Sequence, residues 1–298
     1  MHQSRRLSFA MSLLVLGLAV QTVHAQSNVR TAPLTFTTID VPGASITGVL
    51  GINGLGQMVG YYSLDGGATS TGFLYSGGNF TFFSYPGADA TDPFGINDSG
   101  LISGTAYFDG NIVAVGFLYD GTTFKAIRAP GKSETLQHGI NNAGTTVGGY
   151  GFLSNPQGFE LVAGHFINVM PPGTNTSVFV NGINNSGTLI GSVDTGLESD
   201  GFMSKGGRFR LLSFPHASAT YAWGVNDDAV IVGTYSSNTC LECGFAMRNG
   251  KFLSFSYPGA PTTLVFGVNN AGQVVGSYTL GDQIYHGFVS TPITAIDF

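Results

Sequence analysis

Charge is scarce in this sequence. Only 9% of its 298 residues are Asp, Glu, Lys or Arg, against about 25% in ordinary soluble proteins. Without its first 25 residues the chain keeps nine Lys or Arg beside seventeen Asp or Glu, a formal charge of −8. Nucleic-acid binding needs a basic surface, so the sequence predicts no nucleic-acid partner.

Cysteine, tryptophan and metal-ligand motifs are also nearly missing. Cys240 and Cys243 are the only cysteines, and Trp223 is the only tryptophan. There is no Trp-Asp dipeptide, no His-x-x-x-His pair and no Asp-x-Asp-x-Asp-Gly loop, which argues against a WD40 repeat, a zinc site and a calcium loop of that kind. The sequence predicts neither a metal nor a cofactor.

Long apolar runs are confined to the N-terminus. Arg5 and Arg6 precede the apolar stretch Leu7–Val20, and Val23-His24-Ala25 is a small-x-small cleavage site. This pattern predicts a secretory signal peptide over residues 1–25, cleaved after Ala25, and hence a secreted or periplasmic protein. No later run reaches membrane-spanning length, so no integral membrane segment is expected in the mature chain.

The cysteine pair is spaced Cys-x-x-Cys, which has two interpretations. A redox or metal role would need a lowered thiol pKa, and no helix is predicted nearby to lower it. In an exported chain we predict a disulfide between Cys240 and Cys243 within a loop, with the redox or metal role as the alternative.

One glycine-rich motif is written six times and organises the rest of the chain. Its leading glycines are 44, 44, 43, 42 and 43 residues apart, a period typical of repeat architectures. The six copies are GINGLGQMVGYY from Gly51, GINDSGLISGTA from Gly95, GINNAGTTVGGY from Gly139, GINNSGTLIGSV from Gly182, GVNDDAVIVGTY from Gly224 and GVNNAGQVVGSY from Gly267.

Each repeat carries four short β-rich runs, named A to D here. Run A ends in Gly-Ile/Val-Asn, run B contains Val-Gly-x-Tyr, run C begins with Gly-Phe, and run D ends on a proline. The Asn-x-x-Gly sequence between runs A and B favours a tight hairpin turn, although the six asparagines could also form a ring of ligands. Four strands in about 43 residues predict an all-β fold, a six-bladed β-propeller of four-stranded antiparallel blades. A β-solenoid is the alternative. Residues 26–33 are predicted to be a flexible leader, and residues 34–298 a single domain.

The repeated motif G-I-N-N-x-G-x-V-V-G-x-Y, followed by a small residue and Phe, resembles the HAF-type bacterial extracellular repeat. His286-Gly287-Phe288 matches the naming tripeptide most closely, and the resemblance spans about Phe36–Phe288. The other copies keep the phenylalanine but not the histidine. The resemblance implies an exported protein, and it brings no established activity with it.

Two stretches compete for the last place in the ring. The chain contains six copies of runs A, B and C but seven stretches that resemble run D, because Ile293–Phe298 aligns with Phe36–Val41. The connection from Gly287 to Ile293 is short and contains Pro292, which cannot donate to a strand ladder. We therefore predict that Phe36–Val41 pairs with Gly287–Ser290 and joins the two chain ends.

The loops between runs B and C and between runs D and A vary most, so we expect a functional site on the face they form. The residue before each Gly-Ile/Val-Asn also varies. Ligand-binding candidates at this position are Phe94, His138, Asn181, Trp223 and Phe266. The alternative is that these side chains pack between the blades. Scattered acidic residues near the same face are Asp89, Asp92, Asp194, Glu198, Asp200, Glu242 and Asp282.

These observations favour an exported binding or scaffold module over an enzyme, and no catalytic residue can be named. The ligand is unknown, with extracellular glycan or protein as the candidates, and we expect a monomer. One alternative is an enzyme, a hydrolase or lyase, that acts on extracellular polysaccharide with carboxylates and Trp223 on the variable face. Another is a purely structural surface protein.

Overall fold

The computed structural model describes residues 21–23, 29–110, 113–151, 156–173, 177–194, 199–294 and 298. All regular elements in these residues are β-strands, and no helix there could span a membrane. The first three strands are β1 (Gln21–Val23), β2 (Arg30–Thr31) and β3 (Phe36–Ile39). Apart from β1, the predicted signal peptide lies outside the described residues.

The first three repeats form separate four-stranded sheets, in which neighbouring strands are antiparallel and follow chain order. Their strands are β4 (Ile46–Ile52), β5 (Met58–Ser63), β6 (Thr71–Ser76) and β7 (Asn79–Phe83); β8 (Ala90–Ile96), β9 (Ile102–Phe108), β10 (Val113–Tyr119) and β11 (Phe124–Ile127); and β12 (Thr135–Ile140), β13 (Thr146–Tyr150), β14 (Gln157–Val162) and β15 (His165–Val169).

The last three repeats pair in the same antiparallel order, and single parallel bridges connect them into one large sheet. Their strands are β16 (Val178–Ile183), β17 (Leu189–Asp194), β18 (Ser199–Lys205) and β19 (Arg208–Leu212); β20 (Ala217–Val225), β21 (Ile231–Ser237), β22 (Cys240–Arg248) and β23 (Lys251–Phe255); and β24 (Thr262–Val268), β25 (Val274–Thr279) and β26 (His286–Ser290).

The N-terminal strand β3 completes the last repeat. It pairs antiparallel with β26, so that Ile39 lies opposite Gly287 and Phe36 lies opposite Ser290. This pairing confirms the prediction that the N-terminal stretch, and not the C-terminal one, occupies this place. The tail packs elsewhere: Ile293 is buried, and its backbone N–H donates to the carbonyl of Gly272 at 2.8 Å.

The segment just before β3 differs from the flexible leader predicted over residues 26–33. Strand β2 pairs parallel with β23, Arg30 opposite Leu253, and the backbone N–H of Ala32 donates to the carbonyl of Ser254 at 3.1 Å. Ala32 is buried in the core of the last repeats. Residues 30–32 therefore pair with the edge strand β23, whose backbone groups they satisfy. Strand β1 pairs parallel with β19 in a similar position.

The phenylalanine of each Gly-Phe pair is the centre of the core. All six side chains are fully buried. Their clusters cross repeat boundaries, since Phe202 shares one with Val147 and Val169 of the preceding repeat. The glycine before it lies close to the next repeat, since a Cβ on Gly158, for example, would meet the side chain of Val180 at 2.8 Å. The six phenylalanines are Phe73, Phe117, Phe159, Phe202, Phe245 and Phe288.

The asparagine of each Gly-Ile/Val-Asn fixes the turn that follows it. The side-chain Oδ1 of Asn53, for example, accepts the backbone N–H of Leu55 at 3.1 Å and of Gln57 at 3.0 Å. These bonds confirm the predicted turn chemistry. The last turn residue has positive φ in every repeat, which suits Gly56, Gly100, Gly144, Gly187 and Gly272, but the fifth repeat has Ala229 at φ 57°.

We expect the substitution Ala229→Gly to stabilise the protein. A left-handed conformation costs an L-residue roughly 1–2 kcal/mol, and glycine removes this strain from the folded state. The greater conformational entropy of glycine in the unfolded chain offsets part of the stabilisation. The free energy of unfolding should therefore rise by about 0.5–1 kcal/mol in denaturant titrations. Gly187→Ala, the reverse change at the equivalent turn, is the matched control and should destabilise the protein. A loss of stability in Ala229→Gly would contradict this account of the turn.

The same six asparagines also connect the repeats to one another. In each repeat the side-chain Nδ2 donates to the backbone carbonyl of the next repeat's asparagine, at 2.9 to 3.3 Å. Asn269 donates to Asn53, so the series closes on itself. The ring runs through Asn53, Asn97, Asn141, Asn184, Asn226 and Asn269. Because both atoms of each amide are engaged within the protein, these residues act as latches between repeats.

The two cysteines form the predicted disulfide. Cys240 and Cys243 are bonded, with their Cα atoms 6.1 Å apart. Their place differs from the predicted loop, because β22 already begins at Cys240 and Ser237 pairs with it across a short hairpin. The disulfide therefore joins two residues at the start of strand β22 and does not lie within an open loop.

Two buried polar side chains, Gln137 and Thr146, have atoms without a hydrogen-bond partner among the described residues. Gln137 of β12 is fully buried, and neither its amide Nε2 nor its Oε1 makes a hydrogen bond there. It faces the neighbouring repeat, where its Cβ lies close to Gly116. The equivalent residues of the other repeats are Val49, Pro93, Val180, Ala222 and Val265.

Replacement of Gln137 by Met should therefore stabilise the protein. An unsatisfied buried polar group costs roughly 1–3 kcal/mol, and Met removes it at nearly the same volume, so we expect a gain of about 1 kcal/mol in denaturant unfolding. Gln157→Met is the control, because the Oε1 of Gln157 accepts a hydrogen bond from Tyr150 Oη at 3.2 Å. This variant should show no gain in the free energy of unfolding. A clear loss in Gln137→Met would mean that the amide has a partner.

Candidate functional site

A narrow channel runs between the six innermost strands. At its centre the glycines of Gly-Ile/Val-Asn approach each other backbone to backbone: a Cβ on Gly51 would lie 2.7 Å from the carbonyl oxygen of Phe94, and one on Gly182 would lie 2.8 Å from that of Trp223. Gly267 closes the series, because a Cβ on it would lie 3.2 Å from the carbonyl oxygen of Leu50 and 3.4 Å from the Cα of Gly51. The cavity at this level is about 80 Å³ in volume.

The five predicted ligand-binding residues lie around this channel, each at a β-bulge. In five repeats the register of the innermost strand shifts across the residue that precedes the glycine of Gly-Ile/Val-Asn, for example between Val180 and Gly182. In the third repeat the shift lies between Gln137 and Ile140. A bulge re-aims the side chain that it carries. Phe94, Asn181, Trp223 and Phe266 line the cavity, whereas His138 is buried beside it.

His138 and Asn181 form a buried polar pair. The imidazole Nδ1 lies 3.2 Å from the Oδ1 of Asn181, whose Nδ2 donates to the carbonyl of Ala222 at 2.9 Å. Since that amide oxygen can only accept, Nδ1 carries the proton. Burial lowers the pKa of His138 to about 4, although the hydrogen bonds oppose the shift, so the imidazole is neutral at pH 7.

Aromatic contacts hold the rest of this group together. The rings of Phe94 and His138 are 4.7 Å apart, His138 and Trp223 are 6.1 Å apart, and Trp223 meets Phe266 edge to face at 5.4 Å. The sequence-predicted residues thus come together, mostly in contact with one another. The free space among them is small, about 80 Å³.

The channel mouth on the side of the Asn-x-x-Gly turns is polar. Its cavity, about 100 Å³, is bordered by the latch asparagines and by the residues that follow them. The backbone N–H of Asn185 donates to the Oδ1 of Asp227 at 2.8 Å, and the other repeats repeat this bond up to Asn270. The series ends there, because Gly54, the equivalent residue of the first repeat, has no side chain to accept a hydrogen bond from the backbone N–H of Asn270. These oxygens therefore serve mainly to connect neighbouring repeats.

A larger pocket lies between the first two repeats, on the face of the variable loops. Its volume is about 240 Å³, and we call it the Asp92 pocket. Strands β4, β5, β8 and β9 and the loop between β5 and β6 contribute its wall. The lining residues are Ile46, Tyr61, Gly67, Ser70, Ala90, Asp92 and Tyr107.

Asp92 is the only charged residue in this lining. Its Oδ1 accepts a hydrogen bond from the hydroxyl of Ser70 at 2.6 Å, and the backbone N–H of Thr91 in turn donates to that hydroxyl at 3.2 Å. The carboxyl group is therefore held in one orientation. Its other oxygen, Oδ2, makes no hydrogen bond to the described residues.

Desolvation within the pocket sets the protonation of its groups. It raises the pKa of Asp92 to about 6, while the hydrogen bond from Ser70 partly opposes the shift. Burial, together with the nearby Asp92 carboxylate, raises the pKa of Tyr61 to about 12, and the same two causes raise the pKa of Tyr107. At pH 7 the pocket therefore holds one carboxylate between two neutral phenols.

The pKa of Asp92 predicts a pH-dependent stability. Because the folded value, about 6, lies above the ordinary value of 3.8, the folded state holds a proton in this window that the unfolded state releases. Stability from this residue is therefore present at acid pH and is lost as the pH rises through about 6. In Asp92→Asn this loss should be absent, so its melting temperature should exceed the wild-type value by an amount that grows from pH 4 to pH 6 and then levels off.

Asp228→Asn is the control for this experiment. Asp228 is exposed on the opposite side of the ring and carries the same formal charge. Its variant should follow the wild-type melting temperature at every pH. A constant difference between Asp92→Asn and wild type across the whole range would contradict the assigned protonation.

Sequence reasoning noticed Asp92 as one acidic residue among several, but it missed the tyrosines. The signal was a paired break in the repeat. Gly48 stands where the other repeats have Asp92, Leu136, Phe179, Tyr221 and Leu264, and opposite it Tyr61 stands where they have Thr, Gly or Ser. Without a side chain at Gly48, the ring of Tyr61 lies over its backbone, 3.1 Å from the place of a Cβ.

The other acidic residues near this face do not converge. Asp89 accepts from the backbone N–H of Gly110 at 3.0 Å, and Asp200 accepts from the hydroxyl of Ser213 at 2.6 Å. Glu198 lies outside the described residues. Within the part of the chain that the structure describes, no three His, Cys, Asp or Glu side chains form a group that could hold a metal ion.

The ring of antiparallel strands, with its channel and its joined chain ends, is a β-propeller fold, and solved structures with this fold superpose on it. A gluconolactonase from Xanthomonas campestris matches with a TM-score of 0.51 at 15% identity, over 88% of this chain and 91% of its own. A luciferin-regenerating enzyme matches with a TM-score of 0.53 at 12% identity, over 87% and 96%. TolB from Acinetobacter baumannii matches with a TM-score of 0.54 at 11% identity, over 80% and 64%.

These identities establish similarity of fold alone. In sequence, the chain matches no protein-family model and no curated protein.

Proposed function

We propose that this protein is an exported binding module, a six-bladed β-propeller of four-stranded antiparallel blades that presents the Asp92 pocket to an extracellular ligand. The blade count is supported by the six sequence repeats and by the four-strand pairing in each. The resemblance to the HAF-type repeat and the predicted signal peptide support export. The disulfide Cys240–Cys243 is typical of a protein in an oxidising compartment.

The observation that carries the binding function is the paired break at Gly48 and Tyr61. In the last four repeats the equivalent position carries Leu, Phe or Tyr, and its strand partner is Gly, Ser or Thr. Here the exchange of sizes opens a cavity and places a carboxylate and two phenols in it. Concave sites with apolar walls and a few fixed polar groups are typical of ligand binding.

The channel residues are a second candidate surface. Trp223, Phe266 and Phe94 line a cavity of only about 80 Å³, and His138 is bonded to Asn181 beside it. We propose that this group packs the blades together and that the ligand enters the Asp92 pocket. The two assignments predict different mutants, which makes them separable.

The mature protein should be tested on a glycan array and on a panel of small extracellular metabolites. Binding should be lost in Asp92→Asn and in Tyr61→Leu, and it should persist in Trp223→Phe and in Asp228→Asn. Loss of binding in Trp223→Phe but not in Asp92→Asn would move the site to the channel. If no ligand on the array or the panel binds, the binding proposal fails and a purely structural surface protein becomes the better description.

An enzyme that acts on extracellular polysaccharide is the rival function. The raised pKa of Asp92 favours it, because a carboxylic acid that titrates near neutrality is suited to general acid catalysis. Glycoside hydrolysis commonly uses two carboxyl groups, however, and Asp92 is the only one in the lining. A hydrolysis screen on polysaccharides, with Asp92→Asn as the comparison, tests this alternative: turnover that disappears in the variant would establish it.

A further inference from the structure

We propose that the Asp92 pocket recognises a small organic cation, a substituted ammonium group that sits between the rings of Tyr61 and Tyr107 and against the carboxylate of Asp92. This inference deepens the proposed binding function and rests on it. Three features of the pocket carry it: an uncompensated carboxylate, aromatic walls and a small volume.

The first feature is the missing counter-charge. The lining contains no Lys, Arg or His. The contact between His286 Nδ1 and Asp40 Oδ2, at 2.6 Å, lies elsewhere, at the junction of β3 and β26. A carboxylate held away from water is unfavourable unless an opposite charge or hydrogen bonds compensate it. Ser70 supplies one hydrogen bond to Oδ1, so Oδ2 is left to face the cavity.

The second feature is the aromatic wall. Tyr61 and Tyr107 line the pocket from β5 and β9, and the Asp92 carboxylate raises the pKa of both phenols, which places them within its field. An aromatic ring attracts a cation to its face, and the attraction reaches about 2 kcal/mol when the cation is desolvated. The carboxylate and the rings therefore favour the same sign of charge.

The third feature is size. A volume of about 240 Å³ is below the range of about 300–1,000 Å³ that is usual for sites of drug-sized ligands. The pocket suits one compact group rather than an extended chain. Apart from the carboxylate, its polar lining consists of hydroxyls, and Ser70 already donates its hydroxyl proton to Asp92. Few donors and acceptors thus remain for the many hydroxyl groups of a sugar.

The experiment compares two ligands of the same shape. Choline carries a trimethylammonium group, and 3,3-dimethyl-1-butanol replaces its charged nitrogen by carbon. In calorimetric titrations of the mature protein at about pH 7.5, choline should bind at least about tenfold more tightly, since the cation–π and ionic contributions exist only for choline. Equal binding of the two ligands would overturn the proposal.

Protein variants separate the contributions. Asp92→Asn should weaken choline binding at least about tenfold, whereas the control Asp228→Asn should leave it unchanged. Tyr61→Phe keeps the ring and loses only the hydroxyl, so choline affinity should stay within about threefold, whereas Tyr61→Leu should weaken it about tenfold. If Tyr61→Phe weakens choline binding as much as Tyr61→Leu does, the ligand contacts the hydroxyl and not the ring. The cation proposal would then fail in favour of a ligand that hydrogen-bonds to this hydroxyl.

The pH dependence gives a readout that a structural role of Asp92 would not produce. Choline should bind more weakly at about pH 5 than at about pH 7.5, because protonation of Asp92 removes the attracting charge. The titratable groups that face Asp92 are the phenols of Tyr61 and Tyr107, whose raised pKa values keep them neutral over this range. Affinity that is independent of pH would count against the ionic contact.

A final arm distinguishes a free cation from one presented on a surface. Vesicles of phosphatidylcholine expose the same trimethylammonium group as free choline. Sedimentation of the protein with these vesicles, abolished in Asp92→Asn, would identify a lipid headgroup as the source, and choline binding without sedimentation would identify a free ligand. If neither choline nor vesicles bind while a neutral sugar does so in an Asp92-dependent way, the cation proposal fails and the binding function stands.

Discussion

The variant Gly191→Ala should not reach a stable folded state. Gly191 belongs to the Val-Gly-x-Tyr run, where a Cβ would lie 1.9 Å from the carbonyl oxygen of Phe179 on the paired strand and 2.7 Å from the buried ring of Phe202. Neither neighbour can move, because the first is backbone and the second fills the core. We expect a loss of at least about 4 kcal/mol in the free energy of unfolding, visible as loss of the cooperative transition in circular dichroism.

Two controls separate this clash from the general effect of an added methyl group or a lost side chain. Ser192→Ala changes the next residue of the same strand and should cost less than about 1 kcal/mol. Gly206→Ala adds a methyl group at a turn where no atom lies within 4 Å, so only its positive φ matters and the cost should be about 1 kcal/mol. A Gly191→Ala protein as stable as these two would mean that the strands can separate enough to admit the methyl group.

Deletion of the chain through Val41 should abolish cooperative unfolding. The deletion removes β3, the strand that completes the last repeat, and with it the edge-to-face contact of Phe36 and Phe288 at 5.3 Å and the buried side chains of Ile39 and Val41. The partner strand β26 would then be an open edge. Urea unfolding followed by Trp223 fluorescence and by circular dichroism should give transitions that no longer coincide.

The comparison for this deletion is removal of Thr294–Phe298. It leaves Ile293 and its bond to Gly272 in place and removes, among its contacts, the bond from Lys251 Nζ to the backbone carbonyl of Phe298 at 3.0 Å. We expect a loss of less than about 2 kcal/mol and one coincident transition. If the C-terminal deletion is the more damaging of the two, ring closure depends on the tail.

The parts of the fold that sequence predicted are those that depend on local rules. The turn at Asn53 follows from the ability of an Asn side chain to bond the backbone two and four residues on, and the buried Phe159 follows from its repeated place in an apolar run. The choice of β3 over the tail followed from Pro292 and from a connection that is too short. Each of these inferences depends on residues that are close together in the chain and needs no knowledge of how neighbouring repeats pack.

Contacts between repeats were beyond the sequence alone. The second role of Asn53, as a latch on the carbonyl of Asn97, depends on how closely neighbouring repeats approach at the axis. The Asp92 pocket has the same origin, since Gly48 and Tyr61 belong to one repeat and Asp92 to the next. The sequence indicated that the predicted channel residues occupy equivalent positions in their repeats. Only the structure shows that these residues meet around one cavity of about 80 Å³.

The pairing of β3 with β26 has a consequence for the order of synthesis. Asp40 and the backbone of Gly287, which are hydrogen-bonded at this junction, are separated by 247 positions along the chain. At about 5–20 residues per second, a ribosome makes β26 roughly 12 to 50 seconds after β3. Until β26 is made, β3 has no partner strand, although β1 and β2 already have theirs in β19 and β23. The growing ring is an open spiral with a free strand edge at its end. The final closure therefore takes place only after the chain is complete, and an interrupted chain carries an unpaired strand that is exposed to pairing with other molecules.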